Sequence, residues 1–206
     1  RLAEIAAAHN ILVVSDEIHC DMPLYGHTHT PFAMASDTAA HCSITFGAPS
    51  KTFNIAGIVS SYSIVPDKAI REKFYSWLAA NEFDMATIFA MTATEAAFTH
   101  GEEWRRQMLR YLEGNVDFVA DYLEKYIPQV RAVKPQASYL VWLDFSRLGL
   151  EHEALADMII NKARLAMNDG AMFGVEGRQH MRMNVGCPRS VIAEAMDRLK
   201  KAVDEL

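Results

Sequence analysis

Cysteine is scarce in this sequence: 206 residues carry only Cys20, Cys42 and Cys187, widely spaced and without a Cys-x-x-Cys pair. An odd number of scattered thiols argues against a disulfide framework and fits a reducing compartment, so free cysteines are expected. Clustered positive charge is also missing. The formal net charge is −6 and no Lys/Arg run interrupts the chain, which excludes the electrostatic footprint of a nucleic-acid partner. No apolar run approaches the roughly 20 residues that a membrane helix needs, and no signal-peptide pattern precedes the first strand, so no membrane partner is expected and the cytoplasm is the expected compartment. Tandem repeats and low-complexity tracts are absent. What the chain does have is apolar residues, 50% of the total, enough to bury a sizeable core and to exclude disorder.

Periodicity divides the chain into an α/β part and an α+β part. Ile11 to Val14 is an apolar run bounded by Asn10 and Ser15, which predicts a strand buried on both faces. Ser43 to Phe46 and Ile58 to Val65 predict two more strands, and Pro66-Asp67 marks a helix start with proline at its first position. Ile70, Phe74 and Trp77 recur at helical spacing, the stripe of a helix packed by one face, and Ala86 to Thr99 predicts a small-residue helix stopped near Gly101. From Glu102 a helical period runs for about seven turns until Pro128 ends it. Such a helix can bridge two domains, and the boundary is placed near Gly114, giving regions 1–113 and 114–206. Beyond it, strands at Val130–Val133, Tyr139–Asp144 and Met181–Val185, with helices at His152–Ala166 and Ser190–Glu205, compose a small α+β unit.

Chemistry concentrates where the first two strands end. Asp16 leaves the first in Ser15-Asp-Glu-Ile-His-Cys-Asp21, and Lys51 comes after the second in Ser50-Lys-Thr-Phe-Asn-Ile-Ala-Gly57, 35 positions later. A parallel sheet places its ligands at the carboxyl ends of its strands. An amine there can hold a carbonyl cofactor as an imine, and a carboxylate can keep a pyridine nitrogen protonated so that the ring accepts electrons. These motifs, their order and their spacing resemble the fold-type I pyridoxal phosphate enzymes of aminotransferase class I/II, and are similar to their carbon–sulfur β-lyase branch, the cystathionine β-lyases. Ala80-Asn-Glu-Phe-Asp84, Gly101-Glu-Glu-Trp104, Lys134 to Asp144, Asp169-Gly-Ala-Met-Phe-Gly174 and Met181-Arg-Met-Asn-Val-Gly186 carry the resemblance along the whole chain.

The resemblance implies part of a transferase-like large domain, a mostly parallel sheet with helices, followed by a small carboxyl-terminal domain. It implies pyridoxal 5′-phosphate as cofactor, a small amino-acid substrate and a homodimer. The chain opens on Arg1 directly into what reads as the last turns of a helix, so the carboxyl-terminal portion of a longer enzyme is expected. In the resembling family the preceding portion supplies a glycine-containing phosphate turn, an aromatic residue stacked on the ring and an asparagine near its 3′-oxygen.

The same likeness assigns roles residue by residue. Lys51 is the expected imine lysine and general base, against the ordinary alternative of a solvated surface lysine. Asp16 is the expected partner of the ring nitrogen, although an aspartate there can also cap a turn. Glu17, beside it, points elsewhere if the strand continues, and receives no role. His19 replaces the tyrosine that many aminotransferases carry three places after the aspartate, which favours the lyase branch; contact with the ring oxygen, contact with substrate and simple packing stay open. Cys20, His27 and His29 lack regular ligand spacing, so no metal site is expected. Ser50 is expected to meet the cofactor phosphate, with Asn54 and Gly57 shaping the turn. Two positions depart from the wider family: Val59 stands where many members place a phosphate-clamping arginine, and Ala48 where many place a hydroxyl. Arg182, on a predicted strand, offers two parallel donors to a substrate carboxylate; Tyr139 and Trp142 read as core.

The resemblance and the residues admit three functions. The first is β-elimination of a sulfur amino acid to thiol, pyruvate and ammonia. Transamination is the second, because the same cofactor residues serve both. The third is a site-incomplete association module, in which the Ala- and Met-rich stretch Met85–Ala97 forms a contact surface.

Overall fold

In the computed structural model, which describes residues 1–206, helix α1 (Leu2–Ala8) is followed by Asn10 at a φ of 53°, a left-handed turn that asparagine tolerates better than most residues. The chain then enters β1 (Val13–Asp16). Ser36 caps α2 (Asp37–His41) by accepting from the Ala39 amide at 3.1 Å, and β2 (Ser43–Gly47) comes next. Beyond it lie α3 (Pro49–Thr52), β3 (Tyr62–Ile64), α4 (Lys68–Ala80) and α5 (Ile88–His100). Strand β1 pairs with β2 in parallel and β3 pairs with β2 antiparallel, in the order β1-β2-β3.

Contrary to what its apolar run leads one to expect, the first strand is not buried on both faces. Ile11 and Leu12 lie before the strand, and Val14 within it is 63% exposed. The reason is positional: β1 is an edge of its sheet and alternates its side chains, so an apolar run does not by itself secure cover on two faces. Proline does not open α4 either. Asp67 is its cap, accepting from the Ile70 amide at 2.9 Å, and Pro66 stands one residue outside. The stripe of α4 is present but not packed shut: Ile70, Phe74 and Trp77 line an apolar cavity of about 920 Å³ with Ile11, Leu12 and Ile44.

Residues Arg1–Gln107 and Met108–Leu206 form two units that divide within α6 (Glu102–Tyr126). The second unit holds β4 (Arg131–Val133), β5 (Leu140–Asp144), α7 (His152–Asp157), β6 (Asn168–Asp169), β7 (His180–Asn184) and α8 (Arg189–Asp204). Its antiparallel sheet runs β4-β5-β7-β6. The core joins Val141 and Leu143 of β5, Met181 and Met183 of β7, and the helical stripes Leu112, Val116, Val119 and Leu123 of α6 and Ile192, Met196, Leu199 and Ala202 of α8. Both stripes repeat at three and four residues, which is why their helices were legible. The helix expected across His152–Ala166 is shorter: it passes into a π-helical turn at Met158–Lys162 and ends there. No helix is long and apolar enough to cross a membrane.

Asp144 closes one end of β5. Burial pushes its carboxyl up, but hydrogen bonds from Ser146 and Arg131 outweigh that and bring it from an ordinary 3.8 down to about 2. A carboxylate with a depressed folded-state pKa contributes stability above its unfolded value and loses that contribution as pH falls through the folded one. The unfolding temperature is therefore expected to fall as the medium is acidified from about pH 4 to about pH 2, and the decline to flatten in Asp144→Asn. Thermal circular dichroism checks this, and an acid limb unchanged by the substitution counts against it.

Candidate active site

Parallel pairing in register brings two chemistry-bearing residues to one sheet edge. Asp16, the last residue of β1, lies opposite Phe46, one residue from the end of β2, and Lys51 stands four positions after Gly47 in α3. The Asp16 carboxylate is exposed, and its Oδ1 accepts only from the Ile18 amide, at 3.3 Å. Lys51 is half-buried, and no hydrogen bond or ion pair engages its Nζ. A carboxylate and an amine, neither neutralised by a charged neighbour, thus stand at the carboxyl ends of adjacent strands.

The short helix carrying Lys51 is held at its carboxyl end by an aromatic cluster. Phe53 packs edge-on against Phe98 at 5.6 Å and tilted against Trp104 at 6.0 Å between ring centroids. Its ring lies so near Gly101 that a Cβ there would meet it at 2.4 Å, so glycine at this helix end admits the aromatic anchor. Ser50 Oγ reaches the Ser60 carbonyl at 3.4 Å, a long bond that leaves the hydroxyl available, while Ser60 Oγ and Thr94 Oγ1 stand 2.6 Å apart. Asn54 is exposed at a φ of 54°, the turn-shaping role read from the sequence. Val59, also at a φ of 54°, is a β-branched residue in the left-handed region, where only surrounding structure holds it. Gly57 has ordinary backbone geometry and open space around it.

Glu17, left without a role by sequence, is buried and anchors the loop beyond β1. Its carboxylate accepts from Ser15 Oγ at 2.9 Å and the Phe32 amide at 2.9 Å, and lies 2.8 Å from His29 Nε2. Burial raises its pKa, but these bonds and the nearby imidazole outweigh burial, and the net shift is downward. Glu17 thus ties Phe32 and His29 to the strand that presents Asp16. Tyr62 had no role in the sequence reading either: its ring covers Gly47, where a Cβ would lie 2.5 Å away, and burial, followed by the neighbouring Cys20 and the carboxylates of Asp21 and Glu17, pushes its hydroxyl pKa up. Alternation in β3 was the one available signal. Cys20 is pushed up to about 11, first by burial and then by Asp21 and Glu17, so it is a protonated thiol.

His19 is half-buried in the turn after β1, where its backbone carbonyl accepts from the Met22 amide at 3.1 Å. Arg182 belongs to the second unit. On β7 it is half-buried, donates from Nη2 to Asn168 Oδ1 at 3.0 Å, and holds its guanidinium 4.7 Å from the Phe173 ring centroid. Trp142, read as core, is half-buried beside it in the sheet. Asp16, His19, Ser50, Lys51 and Asn54 all lie in the first unit.

The donor set of the first unit suits pyridoxal phosphate. Lys51 has a free amine for the aldehyde, Asp16 a carboxylate without a cation for the ring nitrogen, and Ser50 a weakly engaged hydroxyl for a phosphate oxygen. Similarity to known proteins points the same way. The model of the aminotransferase class I and II family matches residues 1–199. Cystathionine beta-lyase PatB of Bacillus subtilis (strain 168) is 42% identical over 203 residues, 98% of this chain and 52% of PatB. A PLP-bound protein of Clostridium difficile 630, assigned to the aminotransferases, superposes with a TM-score of 0.94 at 40% identity, covering 98% of this chain and 52% of that one. Cystalysin of Treponema denticola, whose crystal structure contains pyridoxal 5′-phosphate, has a TM-score of 0.90 at 32% identity, covering 99% of this chain and 52% of cystalysin. The chain spans about half the length of the curated relatives it matches.

Proposed function

From the premise that this chain belongs to the aminotransferase class I and II family, we propose that it carries the lysine-bearing part of a pyridoxal phosphate-dependent carbon–sulfur lyase. The observation that supports this most is the unpaired amine of Lys51 at the same sheet edge as the unpaired carboxylate of Asp16. Bound there, pyridoxal phosphate supplies an electron sink for a bond broken at the substrate's Cα.

The chain's own residues do the rest. Lys51 Nζ would hold the cofactor's aldehyde, and its amine, once freed by the substrate's amino group, would take the Cα proton. Asp16 keeps a proton on the ring nitrogen by its negative charge. Ser50 would donate its hydroxyl to the phosphate, Asn54 would shape the adjoining turn, and His19 would serve the ring-oxygen side. Arg182 binds the substrate's α-carboxylate through parallel donors, which selects the Cα–H bond for cleavage. With that proton on Lys51, the Cβ–S bond breaks and the sulfur departs as thiolate; pyruvate and ammonia are the remaining products after hydrolysis.

PatB and cystalysin support the lyase branch, and the Clostridium difficile relative supports transamination as the second reading. In transamination Lys51 would return the proton to the cofactor instead. A homodimer and a cytoplasmic setting are part of the proposal; Cys20, Cys42 and Cys187 are free thiols, as a reducing compartment favours. The apolar side chains of α5, with Phe89 78% exposed, support an association surface on this chain.

Product analysis separates the readings. Incubated with cystathionine and pyridoxal phosphate but no 2-oxo acid, the protein is expected to release thiol and pyruvate in equal amounts, and Asp16→Asn to lower the rate by about 10²-fold or more. Amino-group transfer that requires a 2-oxo acid, with no thiol released, would replace the lyase reading by the aminotransferase one.

A further inference from the structure

We propose that Asn168 and Phe173 are positioning residues that fix the guanidinium plane of Arg182 and leave its Nη1–Nη2 edge as the one open to a ligand. The relevance to catalysis rests on the reading of Arg182 as the carboxylate-binding group; the positioning itself rests on geometry alone.

Register lays the parts side by side. Arg182 on β7 lies opposite Trp142 of β5 on one side and Asn168 of β6 on the other, and residues directly opposite share a sheet face. Asn168 Oδ1 accepts from Arg182 Nη2 at 3.0 Å. Phe173 ends the 3₁₀ turn Gly170–Phe173 that comes after β6, and its ring sits 4.7 Å from the Arg182 Cζ, within cation–π range. Trp142 backs Phe173 edge-on at 5.6 Å and stacks on His180 at 5.4 Å and 16°. Glycines hold that 3₁₀ turn in place: a Cβ on Gly170 would meet the Gly177 carbonyl oxygen at 2.2 Å, so this backbone crossing admits nothing larger.

The remaining donors decide what the group can bind. Arg182 Nε is buried without a hydrogen-bond partner, an unfavourable placement that packing must enforce. A guanidinium offers a carboxylate either its Nε–Nη2 side or its Nη1–Nη2 end. Burial closes Nε and with it the side; Nη2 carries two hydrogens and gives one to Asn168, so the end keeps Nη1 and the second Nη2 hydrogen. A carboxylate must therefore approach end-on, in the plane set by Phe173. In the sequence Phe173 stands out only as part of the Asp169–Gly174 motif and Asn168 not at all, because their meaning lies in cross-strand register.

Arginine side-chain NMR on the full 206-residue chain tests this. In the unsubstituted protein Arg182 is expected to give resolved Nη resonances and a slowly exchanging Nε–H. Asn168→Ala and Phe173→Leu are expected to average the Nη signals and speed Nε–H exchange about tenfold or more, with little change in melting temperature, whereas Phe173→Tyr keeps the aromatic face and restores both. An Arg182 that is already averaged in the unsubstituted protein, or signals that stay resolved in both Asn168→Ala and Phe173→Leu, would overturn the proposal. Titration with L-alanine separates the underlying reading: a fixed Arg182 whose signals ignore the amino acid leaves the positioning intact and removes the carboxylate role.

Discussion

Lys51→Ala is expected to abolish the visible absorbance that pyridoxal phosphate gives with the unsubstituted protein, and to lower any elimination activity to background. The expectation is nearly all-or-none because no other amine takes part in the geometry: Lys51 alone lies beyond β2 in α3, at the edge where Asp16 ends β1. Alanine suits a short helix and removes only the amine and its alkyl stem. Phe53, Phe98 and Trp104 continue to anchor the segment, so the fold is expected to survive. Far-ultraviolet circular dichroism unchanged beside a lost visible band is the predicted pair of results. A variant that keeps the band and its activity would show that Lys51 is an ordinary half-buried lysine.

Asn115→Ala is expected to be the most damaging single change in the second unit. The side chain is fully buried on α6 and serves three partners: Nδ2 donates to the Val185 carbonyl at 2.8 Å and the Cys187 carbonyl at 3.0 Å, and Oδ1 accepts from Arg189 Nε at 2.7 Å. It thereby ties the end of β7 and the start of α8 to the long helix. Alanine would strand two carbonyls and a guanidinium donor, and unsatisfied buried groups cost about 1–3 kcal/mol each, so a loss of roughly 3 kcal/mol or more is expected. Tyr111, which accepts from the Arg189 amide at 2.8 Å, and Phe118, beneath the Arg189 guanidinium at 5.0 Å, retain part of the clamp. Urea unfolding monitored by circular dichroism measures the loss, and a change below about 0.5 kcal/mol would mean that water or rearranged neighbours replace the bonds.

Much of this was legible where local pattern carries the information. The long helix from Glu102 and the last helix announced themselves by apolar spacing, and the observed elements begin and end within a residue or two of the predicted ones. The positions of Asp16 and Lys51 were legible because a strand's end and a lysine after the next strand are features of sequence order, and the parallel pairing of β1 and β2 puts both at the carboxyl end of that pair. The resemblance then supplied roles that periodicity cannot. What escaped depends on partners distant in sequence. Glu17 gained its purpose only when the loop folded back to bring the Phe32 amide and His29 onto its carboxylate. Val14 reads as interior but lies exposed on an edge strand, since apolar character does not encode which neighbour arrives. Asn168, in a strand of two residues, has no periodicity to detect, yet it meets Arg182 directly across the sheet.

The most direct measurement is a peptide map of the protein after stoichiometric pyridoxal phosphate and borohydride reduction, which locks any imine in place. One cofactor-sized increment, carried by the peptide containing Lys51, is expected. An increment spread over exposed lysines such as Lys68 and Lys201, or located anywhere but Lys51, would contradict it.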